Sequence, residues 1–258
     1  MIVFRKLLMG GLLFGFLSGA QAQTIAPEQG SSAHRLFRTF YKSPDVRRLQ
    51  ALLRDLDRSA EGDWTAHPPI IGFMAGLLAT DPQRKDLLPS DASHRLRADL
   101  ALAYGLSGQP ERGLAVAREI GLDEKQQAII SSSPSLRKLT IRNPTELDYL
   151  WGAAFATGDS AYIKPIVQRF MQLADQPQKA NDVLAMTEFM HMRRSDMRTI
   201  KERYDRPTLL DLALASAILA ALSKNAAEHE FIRNLITQDL TRDSHAYRIF
   251  TAFAEQKS

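Results

Sequence analysis

Two residues near the middle of the chain have a spacing that is used in catalysis. Ser135 and Lys138 have the Ser-x-x-Lys spacing that places a serine nucleophile beside a lysine base on one helical turn in penicillin-recognising enzymes. The accompanying Ser-Asp-Asn and Lys-Thr-Gly elements do not follow, and Pro134 with three serines before it is typical of an ordinary helix start. The sequence therefore does not predict a serine–lysine enzyme.

Residue types that can bind metal ions also occur at a spacing known from metal sites. Glu188 and His191 could share one helix face, as in di-iron bundles, but such sites need a second Glu-x-x-His pair and two further carboxylates. The Glu-His-Glu run at 228–230 does not converge on one ion if it is helical, because successive residues diverge by about 100°. The remaining histidines are His34, His67, His94 and His245, and they show no metal-binding pattern. We expect no metal ion and no other cofactor.

The segment "MTEFMHMRRSDMRTIKERY" (186–204) is rich in methionine and basic residues. An apolar stripe passes through it, formed by Val183, Met186, Met190, Met197, Ile200 and Tyr204, and Arg193 falls on that stripe. The sequence favours a core-facing helix in which thioethers fill gaps and the stem of Arg193 covers apolar surface. The alternative is a groove for an extended acidic or amphipathic peptide, with Arg193, Arg194 and Arg198 as partner-binding residues.

The elements that position these side chains are predicted to be helices. "SPDVRRLQALLRDLDRS" starts with a capping Ser43 and with Pro44 at the first helical position, and its leucines fall on one face. The run 143–146 supplies an Asn cap, a first-turn Pro and an acidic third position. Since no segment alternates apolar and polar residues as a strand would, the fold is predicted to be all-α.

Three segments have the pattern of helical hairpins. In "LDYLWGAAFATGDSAYIKPIV" (147–167), Gly158 is expected to end one helix and Asp159 to cap the next, while Trp151 has the spacing of a packing residue. A second hairpin is predicted over 96–123, and a third over 209–236 with its turn at 223–225. The second resembles the tetratricopeptide (TPR) pattern. We therefore predict stacked, degenerate hairpins of a TPR-like α-solenoid, a right-handed superhelix.

The N-terminus predicts export. Residues 1–22 have a basic start, an apolar run and Ala20-Gln21-Ala22, the layout of a secretory signal peptide that is cleaved after Ala22. We expect a flexible arm over 23–42 and a single helical domain over 43–258. The chain contains no cysteine, which excludes disulfides and thiolate metal sites. The predicted location is periplasmic or secreted, in a bacterium.

The charge balance gives no support for nucleic-acid binding. Loss of Arg5 and Lys6 with the signal lowers the formal net charge from +4 to +2. After the signal, the longest apolar run (209–222) contains Asp211 and is shorter than a membrane span, so no stable membrane insertion is expected.

Two stretches of the sequence resemble segments of a known family. "LDYLWGAAFATGD" and "SAILAALSKNAAEHEFI" are similar to parts of exported bacterial all-helical proteins with no assigned activity. The resemblance supports the fold and the compartment and implies no functional residue.

Three classes of function are compatible with the sequence. The preferred one is a non-catalytic protein-binding or scaffolding module, whose partner is a protein or peptide of the cell envelope. The alternative is a cell-envelope hydrolase with catalytic residues dispersed in the sequence, such as Glu146 with a distant carboxylate. A third is a peripheral membrane-surface protein that uses basic faces, which the small net charge disfavours. A deep pocket with converging carboxylates or histidines would favour the hydrolase, and a shallow groove with aromatics and mixed charge would favour the binding module.

Overall fold

The computed structural model describes residues 32–59, 67–85, 87–192 and 198–256. Within these ranges the regular structure is helical and contains no strand, which confirms the predicted all-α class. The α-helices are α1 (Ser32–Thr39), α2 (Val46–Ser59), α3 (His67–Thr80), α4 (His94–Leu106), α5 (Pro110–Glu119), α6 (Glu124–Ser132), α7 (Pro144–Thr157), α8 (Lys164–Leu173), α9 (Pro177–Met192), α10 (Arg198–Arg203), α11 (Arg206–Glu228), α12 (Glu230–Asp239) and α13 (His245–Glu255). Short 3-10 turns cover Phe40–Lys42, Leu136–Lys138 and Ser160–Tyr162.

The start of the described chain is anchored in the core. Residues 32–42, predicted to belong to a flexible arm, form α1 and the following 3-10 turn. Phe37 stacks on Phe73 with ring centroids 4.8 Å apart, and Phe40 meets the same ring edge-on at 5.2 Å. The prediction of a flexible arm is therefore wrong for residues 32–42. Burial of the apolar rings of Phe37 and Phe40 stabilises this segment, although the residues around them are mostly polar. The predicted signal peptide and the first part of the predicted arm lie outside the described residues.

Local capping chemistry fixes several helix ends. The side chain of Asn143 accepts a hydrogen bond from the backbone N–H of Glu146 at 3.1 Å, as its position before α7 predicts. Gly158 ends α7 in the left-handed conformation, with φ 70°, and Asp159 caps the next 3-10 turn through Ala161 N–H at 2.8 Å. These predicted signals are confirmed. By contrast, α2 begins at Val46 instead of near the predicted cap Ser43, because the carboxylate of Asp45 accepts from Arg47 N–H at 2.8 Å.

Helices α3 and α7 cross with their backbones in contact. A β-carbon on Gly72 would overlap the carbonyl oxygen of Tyr149, and one on Gly152 would overlap the carbonyl oxygen of Pro69. One turn further along α3, a β-carbon on Gly76 would lie 2.8 Å from Cα of Ala153. Three glycines thus let two apolar helices approach more closely than side chains allow, and this crossing is the centre of the core.

Helices α4, α5 and α6 extend from this centre as consecutive neighbours. The predicted hairpin turn is confirmed at Gly108, which has φ 87°. Gly113 on α5 lies against α4, where its added β-carbon would overlap the carbonyl oxygen of Ala101. A small separate apolar cluster, Ala101, Ala117, Leu122 and Ile130, holds α5 and α6 in place.

The C-terminal helices pack around α11. Asp182 on α9 accepts hydrogen bonds from Arg203 at 2.7 Å and from the hydroxyl of Tyr204 at 2.8 Å, which ties the end of α10 to α9. Helix α11 runs without interruption from Arg206 to Glu228, so the predicted turn at 223–225 is wrong. Within the described residues it is the one helix long and apolar enough to cross a membrane, and 67% of its most apolar window is buried inside the protein.

Apart from α6, the described helices contribute to one large hydrophobic core that extends from Phe37 to Phe253. Helix α7 returns to pack on α3 across the three helices that separate them in sequence, and α13 packs against both α9 and α11. In an open solenoid each repeat contacts only its sequence neighbours. The contacts of α7 and α13 are those of a closed helical assembly.

Candidate functional site

The surface beside the junction of α11 and α12 carries a depression of about 550 Å³. Its walls are the 3-10 turn after α1, the last turn of α11 and the first half of α12. Aromatic rings and charges of both signs line it, namely Tyr41, Lys42, Ala227, Glu228, Glu230, Phe231, Arg233 and Asn234. The rings of Tyr41 and Phe231 meet edge to face at 5.0 Å. The depression can therefore hold an apolar group between aromatic walls and a charged rim.

A second depression of about 300 Å³ borders the other end of α12. It is lined by Ile236, Thr237, Arg242, Tyr247, Phe250, Thr251, Ala254 and Glu255, which come from α12, the following loop and α13. Glu230, Arg233, Asn234 and Thr237 fall at positions i, i+3, i+4 and i+7 of α12 and so share one face of that helix. The two depressions thus lie along one helix face, and we call them together the α12 groove.

A buried histidine lies beside two of the aromatic residues that line the first depression. His229 occupies the single residue between α11 and α12 and is 1% exposed. Its Nδ1 lies 3.1 Å from the hydroxyl of Tyr41, and its ring lies 5.2 Å from that of Phe155 and 6.1 Å from that of Phe231. Burial, aided by the positive charge of Arg38, lowers the pKa of His229 to about 4. The ring is therefore neutral at physiological pH and acts as a packing and hydrogen-bonding element.

The second ring nitrogen of His229 has no hydrogen-bond partner among the described residues. If Tyr41 donates to Nδ1, then Nε2 carries a proton without an acceptor. If Nδ1 carries the proton and donates to Tyr41, then Nε2 is an acceptor without a donor. Burial and the charge of Glu230 raise the pKa of Tyr41, so its hydroxyl remains protonated. Either tautomer keeps the 3-10 turn attached to the α11–α12 junction.

Arg38 fixes the same junction from α1. It donates to Glu228 at 3.0 Å and to the side chain of Asn225 at 2.7 Å, both on the last turns of α11. Burial, followed by the neighbouring charge of Arg38, lowers the pKa of Lys224. Because Glu228 already forms an ion pair with Arg38, Glu230 is the acid of the first depression whose carboxylate has fewer partners.

A second buried histidine lies at the start of α3. Nδ1 of His67 is hydrogen-bonded to a carboxylate oxygen of Asp99 on α4, and Nε2 has no partner within the described residues. Burial raises the pKa of Asp99, while the hydrogen bond from His67 opposes that shift. A histidine–aspartate pair of this kind can act as a general base where substrate reaches the free nitrogen. Neither depression of the α12 groove is lined by His67, which is 4% exposed.

The structure describes only part of the set of residues that were predicted to bind a partner. Arg193 and Arg194 lie outside the described residues, and Arg198 is the first residue of α10, with its side chain also outside them. The predicted stripe is described in two parts, on α9 up to Met192 and on α10 from Arg198, and residues 193–197 lie outside the described residues. Of its described members, Val183, Met186 and Ile200 are buried, and Met190 and Tyr204 are half-buried against the core, which agrees with the core interpretation for those positions.

The other candidate motifs take structural roles where the structure describes them. Ser135 precedes a 3-10 turn and its carbonyl accepts from the backbone N–H of Lys138 at 2.8 Å. Glu146 is buried and accepts from the backbone N–H of Arg142 at 2.6 Å and from its guanidinium at 2.7 Å. Glu188 accepts from the side chain of Gln256 at 2.9 Å. No group of three or more His, Asp or Glu side chains in the described part of the chain is placed to hold a metal ion.

His229 and Tyr41 were not predicted as site residues from the sequence. Glu228-His229-Glu230 was considered as continuous helix, whereas the helix breaks at His229 and the ring lies in the core. Comparison with known proteins does not point to the site either. No protein-family model, no curated protein and no solved structure matches the chain.

Proposed function

We propose that the protein is a non-catalytic, exported helical-repeat-type module that binds or scaffolds another protein or peptide of the bacterial cell envelope. The observation that carries the proposal is the α12 groove, a shallow surface lined by aromatic rings and charges of both signs. Protein-binding surfaces combine aromatic anchors with a polar rim in this way.

The proposed compartment rests on the first 22 residues. Their basic start, apolar run and final Ala-x-Ala are typical of a cleaved secretory signal, and the absence of cysteine suits export without disulfides. The mature chain would begin at Gln23.

The proposed repeat character rests on three pairs of helices that are neighbours in the sequence, α4–α5, α7–α8 and α11–α12. Each pair is joined by a connection of few residues, and the first has small residues at its contact, as in TPR hairpins. We infer that the pairs are degenerate hairpins of a TPR-like superhelix whose ends have closed onto one core.

A hydrolase remains the alternative, and the His67–Asp99 pair is the feature that favours it. A hydrolase of this kind would release soluble fragments from purified peptidoglycan, and His67→Ala would abolish the release. A binding module would leave the peptidoglycan intact.

Site-specific crosslinking tests the binding function directly. The mature protein is produced in its own envelope with a photo-reactive amino acid at Asn234 or at Thr237, both exposed on the α12 groove, or at Arg118 on α5 as a control. We expect one discrete crosslinked species from the first two positions and none from the third. Crosslinking from Arg118 alone, or from no position, would contradict the assignment of the groove.

A further inference from the structure

We propose that residues 32–42 form an acid-released latch, which leaves its place between the end of α7 and the α11–α12 junction when His229 takes up a proton. The release would be a property of the fold and does not depend on the proposed binding function. Three features of the structure support it: the contacts that hold the latch, the connection that joins it to α2, and the surroundings of His229.

The latch is wedged between two parts of the molecule that are distant in the sequence. On one side the ring of Tyr41 packs on the C-terminal end of α7, where a β-carbon on Gly158 would lie 2.7 Å from the ring. On the other side the hydroxyl of Tyr41 lies 3.1 Å from Nδ1 of His229, and its ring meets that of Phe231 at 5.0 Å. The side chain of Tyr41 therefore fills the space between the two parts.

The remaining contacts of the latch with α11 lie close to the same histidine. Arg38 donates hydrogen bonds to Glu228 at 3.0 Å and to Asn225 at 2.7 Å. Both acceptors lie within one turn of His229, so a change at this residue affects the whole attachment of the latch to the junction.

A short exposed connection would let the latch move as one unit. Residues 43–45 join it to α2, and all three are exposed. The resistance to release comes mainly from Phe37 and Phe40, whose rings pack on Phe73. The released state is therefore rare at neutral pH, and a modest change in free energy alters its population many-fold.

The place that His229 occupies suits only the neutral ring. Nδ1 faces the hydroxyl of Tyr41, and Nε2 has no partner among the described residues, so a second ring proton would be buried without an acceptor. Aromatic rings surround the imidazole, and that of Phe155 on α7 lies 5.2 Å from it. Burial, followed by the charge of Arg38, lowers the pKa of His229 to about 4.

The charges around the junction provide no free counter-ion for a protonated ring. Arg38 and Lys42 oppose a positive charge on His229, and Glu228 favours it. Glu228, however, already forms an ion pair with Arg38 at 2.7 Å. The charged or titratable groups of the surrounding elements are Arg38 on α1, Tyr41 and Lys42 on the 3-10 turn, Lys224 and Glu228 on α11, and Glu230 and Arg233 on α12.

Release of the latch removes both of the opposing cations, because Arg38 and Lys42 belong to it. It also uncovers the imidazole, so the ring regains the proton affinity of an ordinary histidine. The released state then binds a proton that the closed state does not, and its population rises as the pH falls, by about 20-fold from about pH 7 to about pH 5. Because Tyr41 and Lys42 line the first depression, the release also removes one of its walls.

Hydrogen–deuterium exchange of the mature protein, read by mass spectrometry, tests the release. The measured quantity is the protection of each peptide, the ratio of its intrinsic to its observed exchange rate, which removes the effect of pH on exchange itself. We expect the protection of residues 32–42 to fall about 20-fold from about pH 7 to about pH 5, while that of α7 does not fall. This interval lies above the ordinary pKa range of Asp and Glu carboxyls.

Two substitutions test whether His229 is the group responsible. His229→Gln should keep the protection of residues 32–42 constant within about 3-fold over the same interval, because glutamine does not titrate. His94→Gln on the exposed start of α4 is the matched control and should leave the fall unchanged. An NMR titration of the unmodified protein needs no variant, and in it the ring of His229 should stay neutral down to about pH 5.

Three results would overturn the inference. A parallel loss of protection in α7 would show global unfolding instead of release. A fall that persists in His229→Gln would assign it to another group, and titration of His229 at its ordinary value would show that the closed state accepts the proton. The crosslinking at Asn234 is measured at neutral pH, so its outcome decides the binding function separately.

Discussion

The hydroxyl of Tyr41 lies 3.1 Å from Nδ1 of His229, although 188 residues separate them in the chain. This bond joins the first turn after α1 to the junction of α11 and α12, and both partners have the neutral forms that a buried bond needs. The same turn supplies one wall of the α12 groove, so the shape of the groove depends on the pair.

Tyr41→Phe should lower the free energy of unfolding by about 1–2 kcal/mol, because both ring nitrogens of His229 would then be buried without a partner. Urea denaturation at neutral pH measures the loss. Tyr247→Phe is the matched control, since its hydroxyl has no hydrogen bond to a described residue, and it should cost little. An equal effect of both substitutions would contradict the role of the bond.

His229 should make the protein less stable as the pH falls. Burial and then the charge of Arg38 lower the pKa of His229 to about 4 in the folded state, against an ordinary value of 6.5. Between pH 4 and pH 6.5 the unfolded chain binds a proton at His229 and the folded protein does not. The free energy of unfolding is therefore at its full value above pH 6.5 and falls as the pH is lowered towards 4. His229→Gln should flatten this decline in urea titrations across the interval, and His94→Gln on the exposed start of α4 should not.

Asp148 should produce the opposite slope. It lies at the edge of the core, and burial raises the pKa of its carboxyl from 3.8 to about 7. The folded protein keeps the proton in that interval, so the contribution of Asp148 is favourable below pH 3.8 and is lost as the pH rises through 7. Asp148→Asn should therefore be more stable than the unmodified protein at about pH 8, with the advantage shrinking towards about pH 4. The comparison is Asp91→Asn, whose carboxyl has a pKa lowered by Arg54 and which should give no gain at about pH 8.

Gly72→Ala should destabilise the protein far more than a propensity scale suggests. Alanine is the better helix former by about 1 kcal/mol, yet its β-carbon would overlap the backbone of Tyr149. We expect a net loss of several kcal/mol or failure to fold, since neither helix can move away without opening the core. Ala79→Gly, on an exposed position of the same helix, should cost only about 1 kcal/mol in thermal denaturation. A stable Gly72→Ala protein would show that the helices do not meet at this position.

Trp151→Ala should cost about 3–5 kcal/mol, as is usual for a large buried aromatic. The predicted packing role is supported by its 3% exposure and by its stacking on Phe155, with centroids 5.8 Å apart. Phe189→Ala is the comparison, because that ring is 38% exposed and its loss should cost much less. An unchanged melting temperature after Trp151→Ala, together with lost crosslinking at Asn234, would instead make Trp151 a binding residue.

The sequence predicted the parts of the fold that depend on near neighbours. Asn143 with its capping role and Gly158 with its positive φ act over three or four residues, so their chemistry is visible in the order of residue types. Helix α11 was divided wrongly because Ser223 and Asn225 are polar and suggest a turn. In the structure both are buried, and Asn225 gains a hydrogen bond from Arg38 on α1 that the local sequence does not show.

The candidate site could not be predicted from residue spacing, because it also depends on contacts between segments that are distant in the sequence. Tyr41 was assigned to a flexible arm, and its contact with His229 depends on the packing of Phe37 and Phe40 into the core. The break at His229 lacks a glycine or a proline to announce it. The class of surface expected for a binding module could be described in advance, but its position on α12 depends on contacts between distant segments.

Because α5 and α6 pack in a small apolar cluster of their own, we expect the molecule to unfold as two cooperative units. Helices α5 and α6 depend mainly on Ala101, Ala117, Leu122 and Ile130, whereas α3 and α7 are held by backbone contact inside the large core. Local opening of α5 and α6 leaves the α3–α7 crossing intact, so their amide protons should exchange with solvent much sooner than those of α7. The chain can therefore loosen at this edge while the part that shapes the α12 groove stays closed.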